Sequence, residues 1–343
     1  MAGFSKDGIT LLGMGNPLLD ISAEVPEALL EEYGVSLNNA ILAEEKHLPL
    51  YRKLVEEYKV EYIAGGATQN SIRVAQWMSP AGSTGYLGAV GKDDFGRQLE
   101  ECAAADGVQV NYMHDDATPT GTCAVLVHGG ERSLVANLAA ANNFKPDHLE
   151  TPAAKAMIES AQFYYVAGFF LTVSVDALLS VATHAAARGK VFALNLSAPF
   201  LVDFFGDALA AALPYADYLF GNESEAAAYG AKHGLGSDVA TIALAIAAGP
   251  KASGTRARTV VITQGCDSTL VAQNGTVQSF AVPPLDKAAL VDTNGAGDAF
   301  VGGFLAQLMR GAPLARCVEA GHWAARQIIQ RSGCTFPPAC DFE

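Results

Sequence analysis

The run VDTNGAGDAF (291–300) combines a glycine turn with an acidic residue, and such a run could hold an anion beside a proton acceptor. Unpaired amides at a helix N-terminus carry the positive end of the helix dipole. The amides of Gly295, Ala296 and Gly297 could therefore bind a phosphate group without a lysine. The helix is expected to begin at this turn, because apolar residues follow at helical spacing: Phe300, Val301, Phe304, Leu305, Leu308 and Met309.

Asp298 stands where a P-loop would place its lysine and hydroxyl residue. In one interpretation this acid only complements the helix dipole, a contribution of about 0.3–1 kcal/mol. In the other it is a general base that takes a proton from a substrate hydroxyl, while the adjacent amides stabilise charge on a transferring phosphoryl group. The second interpretation requires an acceptor site, a metal ion and a nucleotide pocket elsewhere in the chain.

Two other motifs lie at expected strand-to-helix junctions. AGGATQNSIRVAQWM (64–78) places Gly65 and Gly66 before an amphipathic helix, which by itself predicts a tight turn with Asn70 as a polar surface or capping residue. GNESE contains Asn222-x-x-Glu225, which by itself predicts a capping box.

The run GMGNPLLD (13–20) resembles a dinucleotide-binding loop only superficially. Leu18 replaces the third glycine of that loop and Pro17 interrupts the turn, so we reject a Rossmann site. By itself, Asp20 would be a solvated acid at a strand end. Single residues elsewhere are equally unspecific: His322 in a predicted helix is more often structural, and Arg132 after a hairpin turn is usually a surface residue.

Composition excludes several classes of partner. The 343 residues carry 22 Lys+Arg against 36 Asp+Glu, and the net charge of −14 repels nucleic acid and anionic membranes. Six cysteines show no CxxC pair and no metal-ligand spacing, as expected for reduced thiols. The N-terminus has no signal-peptide core, and no apolar run is long enough to span a membrane. We therefore expect a cytoplasmic protein with a possible nuclear pool.

Alternating strand-like and helix-like runs predict an α/β fold, with a mostly parallel sheet covered by helices on both faces. Strands are expected at 83–91, 163–171, 190–197 and 259–265, and helices at 93–107 and 175–189, with a strand leading into a helix over 217–230.

Two regions interrupt this alternation. In TCAVLVHGGERSLVANL (122–138), two β-rich runs flank Gly129-Gly130, a strong type I′ hairpin signal. Short strands at 18–25, 40–45 and 60–66 are separated by a polar helical segment. Together these regions predict a small β-rich subdomain beside the large one.

The whole run DTNGAGDAFVGGF resembles the C-terminal signature of the ribokinase-like sugar and nucleoside kinases, AGGATQN their N-terminal signature, and GNESE their NxxE motif. The resemblance implies the ribokinase-like fold, with a large domain of residues 1–17, 66–120 and 142–343. It also implies a discontinuous β lid of residues 18–65 and 121–141 that closes over the acceptor.

The resemblance also implies roles for single residues. Asp298 would be the base, the amides of Gly295, Ala296 and Gly297 the anion hole, and Arg132 a side chain that can swing over the phosphates. Mg²⁺ would be organised by Asn222 and Glu225, largely through water. The ATP site would comprise these two residues with Thr263, Gly265, Asn294, Gly297 and His322.

Longer collinear runs between residues 15 and 337, such as NNAILAE, ERSLVANLAAAN and IIQRSGCTFP, are similar to the eukaryotic nucleoside kinases of this family, especially the plant type. The similarity implies transfer of the γ-phosphoryl group of ATP to the 5′-hydroxyl of adenosine in purine salvage. We expect a monomer. Another nucleoside, a sugar, or a catalytically inactive nucleotide-binding homologue remain the alternatives.

The acceptor site follows from the same similarity. The adenine would stack on Phe170. Ala40 replaces a glutamine of the animal enzymes, so a polar contact to the base is missing, but the apolar wall still favours adenosine. The residues implied to bind the acceptor are Asn16, Leu18, Asp20, Leu42, Gly65, Gly66, Asn70, Leu134, Ala136, Phe170 and Asn294.

Overall fold

The computed structural model describes residues 4, 8–37, 40–129, 131–252 and 256–342, which form two β-sheets and their covering helices. The strands, in chain order, are β1 (Leu11–Met14), β2 (Leu18–Glu24), β3 (Ala40–Leu42), β4 (Glu61–Gly65), β5 (Thr84–Gly91), β6 (Gln109–Asp115), β7 (Thr122–His128), β8 (Glu131–Asn137), β9 (Phe163–Ala167), β10 (Val191–Asn195), β11 (Tyr218–Asn222), β12 (Thr259–Gln264), β13 (Asp267–Gln273) and β14 (Thr276–Phe280).

The α-helices are α1 (Glu27–Tyr33), α2 (Leu48–Glu57), α3 (Ala67–Trp77), α4 (Asp94–Ala105), α5 (Pro152–Ser160), α6 (Val175–Ala187), α7 (Pro199–Phe204), α8 (Gly206–Ala212), α9 (Glu223–His233), α10 (Val239–Ala248), α11 (Ala296–Met309) and α12 (Leu314–Ile328). Short 3₁₀ helices lie at Glu45–His47, Ala139–Asn143, Pro146–Glu150, Gly168–Thr172, Leu213–Tyr215 and Lys287–Ala289. None of the helices in the described part of the chain has the length and apolar character needed to span a membrane.

The large sheet has the order β14-β13-β12-β11-β10-β9-β1-β5-β6. Its strands pair in parallel from β12 to β6, and only β13 and β14 are antiparallel. Both faces are buried, because alternate residues of one strand belong to different cores: Leu12 packs in one cluster and its neighbour Leu11 in the other. The predicted mostly parallel sheet with helices on both faces is therefore confirmed.

The expected strand over 163–171 is wrong in its second half. β9 ends at Ala167, and Gly168–Thr172 form a 3₁₀ helix. The backbone amides at this point bond to side chains: Ala167 N donates to Thr68 Oγ1 (3.0 Å) and Gly168 N to Ser197 Oγ (2.8 Å). The chain therefore leaves the sheet here.

The small sheet has the order β3-β8-β7-β2-β4. The predicted hairpin is confirmed, since β7 and β8 pair antiparallel from Thr122 opposite Asn137 to His128 opposite Glu131. Gly129 has the positive φ (60°) that such a turn requires, and Gly130 lies outside the described residues. One face of this sheet packs on α1 and α2 in a core that includes Ile21, Leu30, Leu54, Leu126 and Val135.

α11 begins at the glycine turn, as predicted, and lies between α3 and α12. Gly302 and Gly303 allow this close packing. A Cβ on Gly302 would lie 2.6 Å from Ser71 O, and one on Gly303 would lie 2.4 Å from Ala320 O. The acid at the start of α11 is thereby held beside the helix that carries Asn70.

Candidate active site

A cleft of about 280 Å³ opens between the two sheets. Residues from the small sheet form one wall, and the start of α3, the 3₁₀ helix after β9 and the turn before α11 form the other. The sequence-predicted residues that the structure brings together here are Asn16, Leu18, Asp20, Leu42, Gly66, Asn70, Arg132, Leu134, Ala136, Phe170, Asn294, Gly295 and Asp298.

Asp298 lies in the first turn of α11 and faces this cleft. One of its carboxylate oxygens, Oδ2, accepts a hydrogen bond of 3.1 Å from Asn70 Nδ2. Burial raises the pKa of Asp298 from 3.8 to about 6, although the hydrogen bond from Asn70 lowers it. A carboxylate with this pKa is largely ionised at neutral pH and is a better proton acceptor than an ordinary aspartate. The geometry therefore suits a general base.

The turn before α11 supplies amides to the same region. Gly295 adopts the left-handed conformation (φ 78°) and caps the helix. Gly297 is exposed, and a Cβ there would meet no atom of the described residues within 4 Å, so the backbone at this position borders open space. Ala296 differs from expectation, because its amide donates to Thr293 O at 3.2 Å within the turn. In this conformation it is not freely available to an anion.

Asp20 lies on β2, and its carboxyl group packs directly on Gly65 of β4. A Cβ on Gly65 would lie 2.3 Å from Asp20 Oδ1, so only glycine fits here. Burial raises the pKa of Asp20 to about 7; Arg73 lowers it, and the negative charges of Asp298 and Asp292 raise it further. The carboxyl group of Asp20 therefore lies in a site that already carries other negative charges.

Two asparagines carry buried polar atoms without partners. Asn16 Nδ2, Asn16 Oδ1 and Asn70 Oδ1 find no hydrogen bond within the described residues, and both side chains line the cleft. Unsatisfied buried polar groups are costly, so these atoms are suited to a polar ligand. Gly66 lies beside them with φ 96°, and a Cβ on it would lie 2.2 Å from Asn16 O. Position 66 therefore requires glycine.

The rest of the cleft is a predominantly apolar wall. Phe170 is buried and packs edge-on against Phe144, with ring centroids 5.5 Å apart. Sequence reasoning missed other members of this wall, which carry no motif and come from several elements: Ile41, Ile63, Cys123, Val125, Leu138, Phe169, Thr172 and Phe200. A flat, largely apolar group such as a purine base fits between these side chains.

Asn222 and Glu225 form the capping box that the sequence predicted for the start of α9. Asn222 Oδ1 accepts from Glu225 N, and Glu225 Oε2 accepts from Asn222 N, both at 2.9 Å. Glu225 is only 4% exposed, and this burial raises its pKa to about 7. Neither residue lines the cleft described above.

Three other predicted nucleotide-binding residues also lie outside that cleft. Thr263 is at the end of β12, where its hydroxyl donates to Gly221 O at 3.4 Å, and Gly265 follows with φ 58°. His322 is a buried residue of α12 that shares a 2.8 Å hydrogen bond with Thr269 Oγ1. The structure thus gives His322 a protein partner already.

Arg132 is not on the surface. Its Nε lies 3.2 Å from Asp292 Oδ2, and its Nη2 donates to Ser332 Oγ at 2.6 Å. The side chains of Arg132 and Asp292 are 7% and 2% exposed. Sequence reasoning missed Asp292, although it belongs to the same DTNGAGD run as Asp298. The partnership could not be read from the chain, because the two residues are far apart in sequence.

Arg73 is a second buried cation that the motifs did not reveal. It pairs with Asp106 (Nε to Oδ2, 2.6 Å) and donates through Nη1 to Ala64 O (2.8 Å) and Cys334 O (3.2 Å). It therefore ties α3 to the end of β4, next to Gly65 and Gly66 in the chain.

The structure thus has two sheets on either side of a cleft, with an acid in the first turn of a helix that faces this cleft. The model of the pfkB family, described as carbohydrate kinases, matches residues 28–340. The chain therefore belongs to the pfkB family.

Relatives within the family are adenosine kinases. Adenosine kinase 1 of Arabidopsis thaliana is 57% identical over 344 residues, which cover 100% of each chain. The structure of Anopheles gambiae adenosine kinase in complex with P1,P4-di(adenosine-5) tetraphosphate superimposes with a TM-score of 0.92, at 53% identity, covering 97% of this chain and 99% of that one. Adenosine kinase from Schistosoma mansoni in complex with 2-fluoroadenosine has a TM-score of 0.90, at 37% identity over 95% and 97% of the two chains.

Proposed function

We propose that the protein transfers the γ-phosphoryl group of ATP to the 5′-hydroxyl of adenosine and releases AMP and ADP. The observation that carries this proposal is Asp298, a base with a raised pKa at the N-terminal turn of α11, facing a cleft with unpaired asparagine atoms at one end and an apolar wall at the other. The similarity to adenosine kinases, two of them solved with an adenosine-containing ligand or a fluorinated adenosine, supports the same acceptor.

In this proposal the ribose binds at Asp20, Asn16, Gly66 and Asn70, with Gly65 making room for the Asp20 carboxylate. The adenine lies against Phe170 and the apolar wall. Asp298 accepts the proton of the 5′-hydroxyl as that oxygen attacks the γ-phosphorus, and the oxygen bridging the γ- and β-phosphoryl groups leaves with ADP. Backbone amides at Gly295 and Gly297, together with Arg132, offset the negative charge of the transferring group.

Asn222 and Glu225 fit Mg²⁺ only as ligands that act through bound water. Within the described residues no group of three or more His, Cys, Asp or Glu side chains could hold a metal ion, and Glu225 is already engaged in its capping box. Mg²⁺ commonly keeps several waters and binds through phosphates and one or two carboxylates. We propose that Glu225 and Asn222 hold it through water, where it would neutralise phosphate charge. We assign Thr263, Gly265, Asn294 and His322 to the ATP side of the site.

An adenosine-dependent ADP-release assay, with and without Mg²⁺, tests the proposal. Adenosine, inosine, guanosine, ribose and fructose 6-phosphate are compared as acceptors, and adenosine should have the highest kcat/KM. Preference for a free sugar would replace this function with that of a sugar kinase. Absence of ADP release with every acceptor would indicate an inactive nucleotide-binding homologue.

We propose further that the protein is a cytoplasmic monomer. Its six cysteines are all free thiols, in keeping with a reducing compartment. Light scattering coupled to gel filtration should give a mass near 35.7 kDa. Fractionation of the source cells should place the protein in the cytosol. A nuclear pool is compatible with this assignment, whereas recovery in a membrane fraction would contradict it.

A further inference from the structure

The ion pair between Arg132 and Asp292 joins the two halves of the cleft. Arg132 belongs to β8 of the small sheet, whereas Asp292 lies in the large domain, four residues before the start of α11. Both are buried, and both line the cleft. A contact of this kind fixes the position of the β7–β8 hairpin relative to the glycine turn.

Asp292 also organises the turn itself. Its Oδ1 accepts from Asn294 N at 2.9 Å, and its Oδ2 accepts from Gly333 N at 2.9 Å. The backbone amides of Val291 and Asp292 donate to Ile329 O at the end of α12. One carboxylate therefore connects the segment leading into Gly295, the segment after α12 and the small sheet.

Arg132 can serve a phosphate without leaving Asp292. A guanidinium group has five N–H donors in a rigid planar arrangement. Among the described residues this guanidinium contacts Asp292 and Ser332, and its other donors remain for phosphate oxygens. The sequence predicted an arginine that swings over the phosphates. The ion pair makes a large movement of the Arg132 side chain unnecessary, because the small sheet need only close far enough for Arg132 to reach Asp292.

We propose that Asp292 is a positioning residue that, through Arg132, couples closure of the small sheet to the shape of the turn that holds the transferring phosphoryl group. This inference rests on the proposed phosphotransfer. It assigns Asp292 no contact with the substrate. It predicts that Asp292 acts through Arg132, so that losing Asp292 has little further effect on kcat once Arg132 has been lost.

The test compares Asp292→Asn, Arg132→Met and the double variant. Asparagine retains an oxygen for Asn294 N but removes the charge that pairs with Arg132. We expect Asp292→Asn to lower kcat by at least about tenfold, and to change it less than about threefold in the Arg132→Met background. The proposal would be overturned if the factors by which the two single substitutions lower kcat multiplied in the double variant. A normal kcat in Asp292→Asn would overturn it as well.

Hydrogen exchange of the ligand-free protein gives a readout that does not depend on turnover. Asp292→Asn and Arg132→Met should both accelerate exchange in residues 122–137 and in the turn at 292–297. The matched control is Asp217→Asn: that carboxylate is equally buried and pairs with Lys251 (2.6 Å) and Arg256 (3.4 Å), but lies outside the cleft. The control should leave kcat and exchange of the hairpin unchanged, even if its melting temperature falls.

A milder variant covers the case in which Asp292→Asn does not fold. Ser332→Ala removes one contact of Arg132 without leaving a buried charge, and it should still accelerate exchange of the hairpin. Unchanged exchange in Ser332→Ala and Arg132→Met would overturn the proposal. If the wild-type protein releases no ADP with any acceptor, the proposed function fails, but the exchange experiment still decides whether the two side chains hold the hairpin.

Discussion

Asn70 and Asp298 are joined by a hydrogen bond of 3.1 Å between Nδ2 and Oδ2, although 228 positions separate them in the chain. The contact connects the start of α3 with the first turn of α11, and the two helices pack closely along their length. It restrains the Asp298 carboxylate, and among the residues that the structure describes Asn70 Oδ1 has no protein partner. One side chain thus orients the proposed base, and its second polar atom is placed to accept from the proposed substrate.

Replacing Asp298 by asparagine should lower kcat by about 10²–10⁴ and leave adenosine binding nearly intact, because only the proton acceptor is removed. Single-turnover kinetics and calorimetric titration with adenosine measure the two effects. The matched control is Asp176→Asn, an exposed acid in the first turn of α6. This control variant should lose only the small stabilisation that the acid gives to the dipole of α6. Near-normal turnover in Asp298→Asn would reduce that residue to the same dipole-capping role.

The pH profile should reflect two raised carboxyl pKa values. Asp298 must be ionised to accept a proton, so activity should fall as the pH drops through about 6. Asp20, with a pKa of about 7, accepts ribose hydrogen bonds best when ionised, so kcat/KM for adenosine should begin to fall at higher pH. Because the two groups interact, the profile reports apparent values of the pair. Asp20→Asn should remove the step at the higher pH. A profile with a single step near pH 4 would contradict the roles given to both Asp20 and Asp298.

The raised pKa of Asp20 also affects the stability of the folded protein. The folded protein holds a proton on Asp20 at pH values where the unfolded chain, with a pKa near 3.8, has lost it. The contribution of this group to stability is therefore present at low pH and is lost as the pH rises toward 7. Melting temperatures of the ligand-free protein from pH 5 to 8 should show a weaker decline in Asp20→Asn than in wild type. An equal decline would show that Asp20 ionises normally.

Asp20→Ala should mainly raise the KM for adenosine, by at least about tenfold, since it removes the acceptors proposed to contact the ribose before and during reaction. The KM for ATP should change little. Gly65 is left with an empty space beside it, which water can fill, so the fold should persist. A change confined to the KM for ATP would mean that the nucleoside and nucleotide sites are reversed.

Glu225→Gln separates the structural role of this residue from its proposed role near Mg²⁺. The amide oxygen of glutamine can still accept from Asn222 N, so the capping box and the melting temperature should be preserved. The loss of charge should raise the Mg²⁺ concentration for half-maximal turnover by about tenfold or more. If a titration with Mg²⁺ showed no change, the capping box would be its whole function.

Local chemistry made much of this protein predictable from its chain. Helical spacing after Gly297 placed the start of α11, period-two runs around Gly129 placed the β7–β8 hairpin, and Asn222 with Glu225 specified a capping box, because each pattern depends on neighbours a few residues apart. The strand predicted through Leu171 went wrong where the amides of Ala167 and Gly168 found side-chain acceptors from distant segments.

The tertiary structure alone decided which distant groups meet. Local sequence carries no record of the pairing of Arg132 with Asp292, of Arg73 with Asp106, or of the carboxyl of Asp20 with Gly65. The raised pKa values of Asp20 and Asp298 have the same origin, since burial and neighbouring charges arise only when the two sheets close around the cleft. The sequence by itself determined which chemistry was present, and packing determined how that chemistry is positioned and charged.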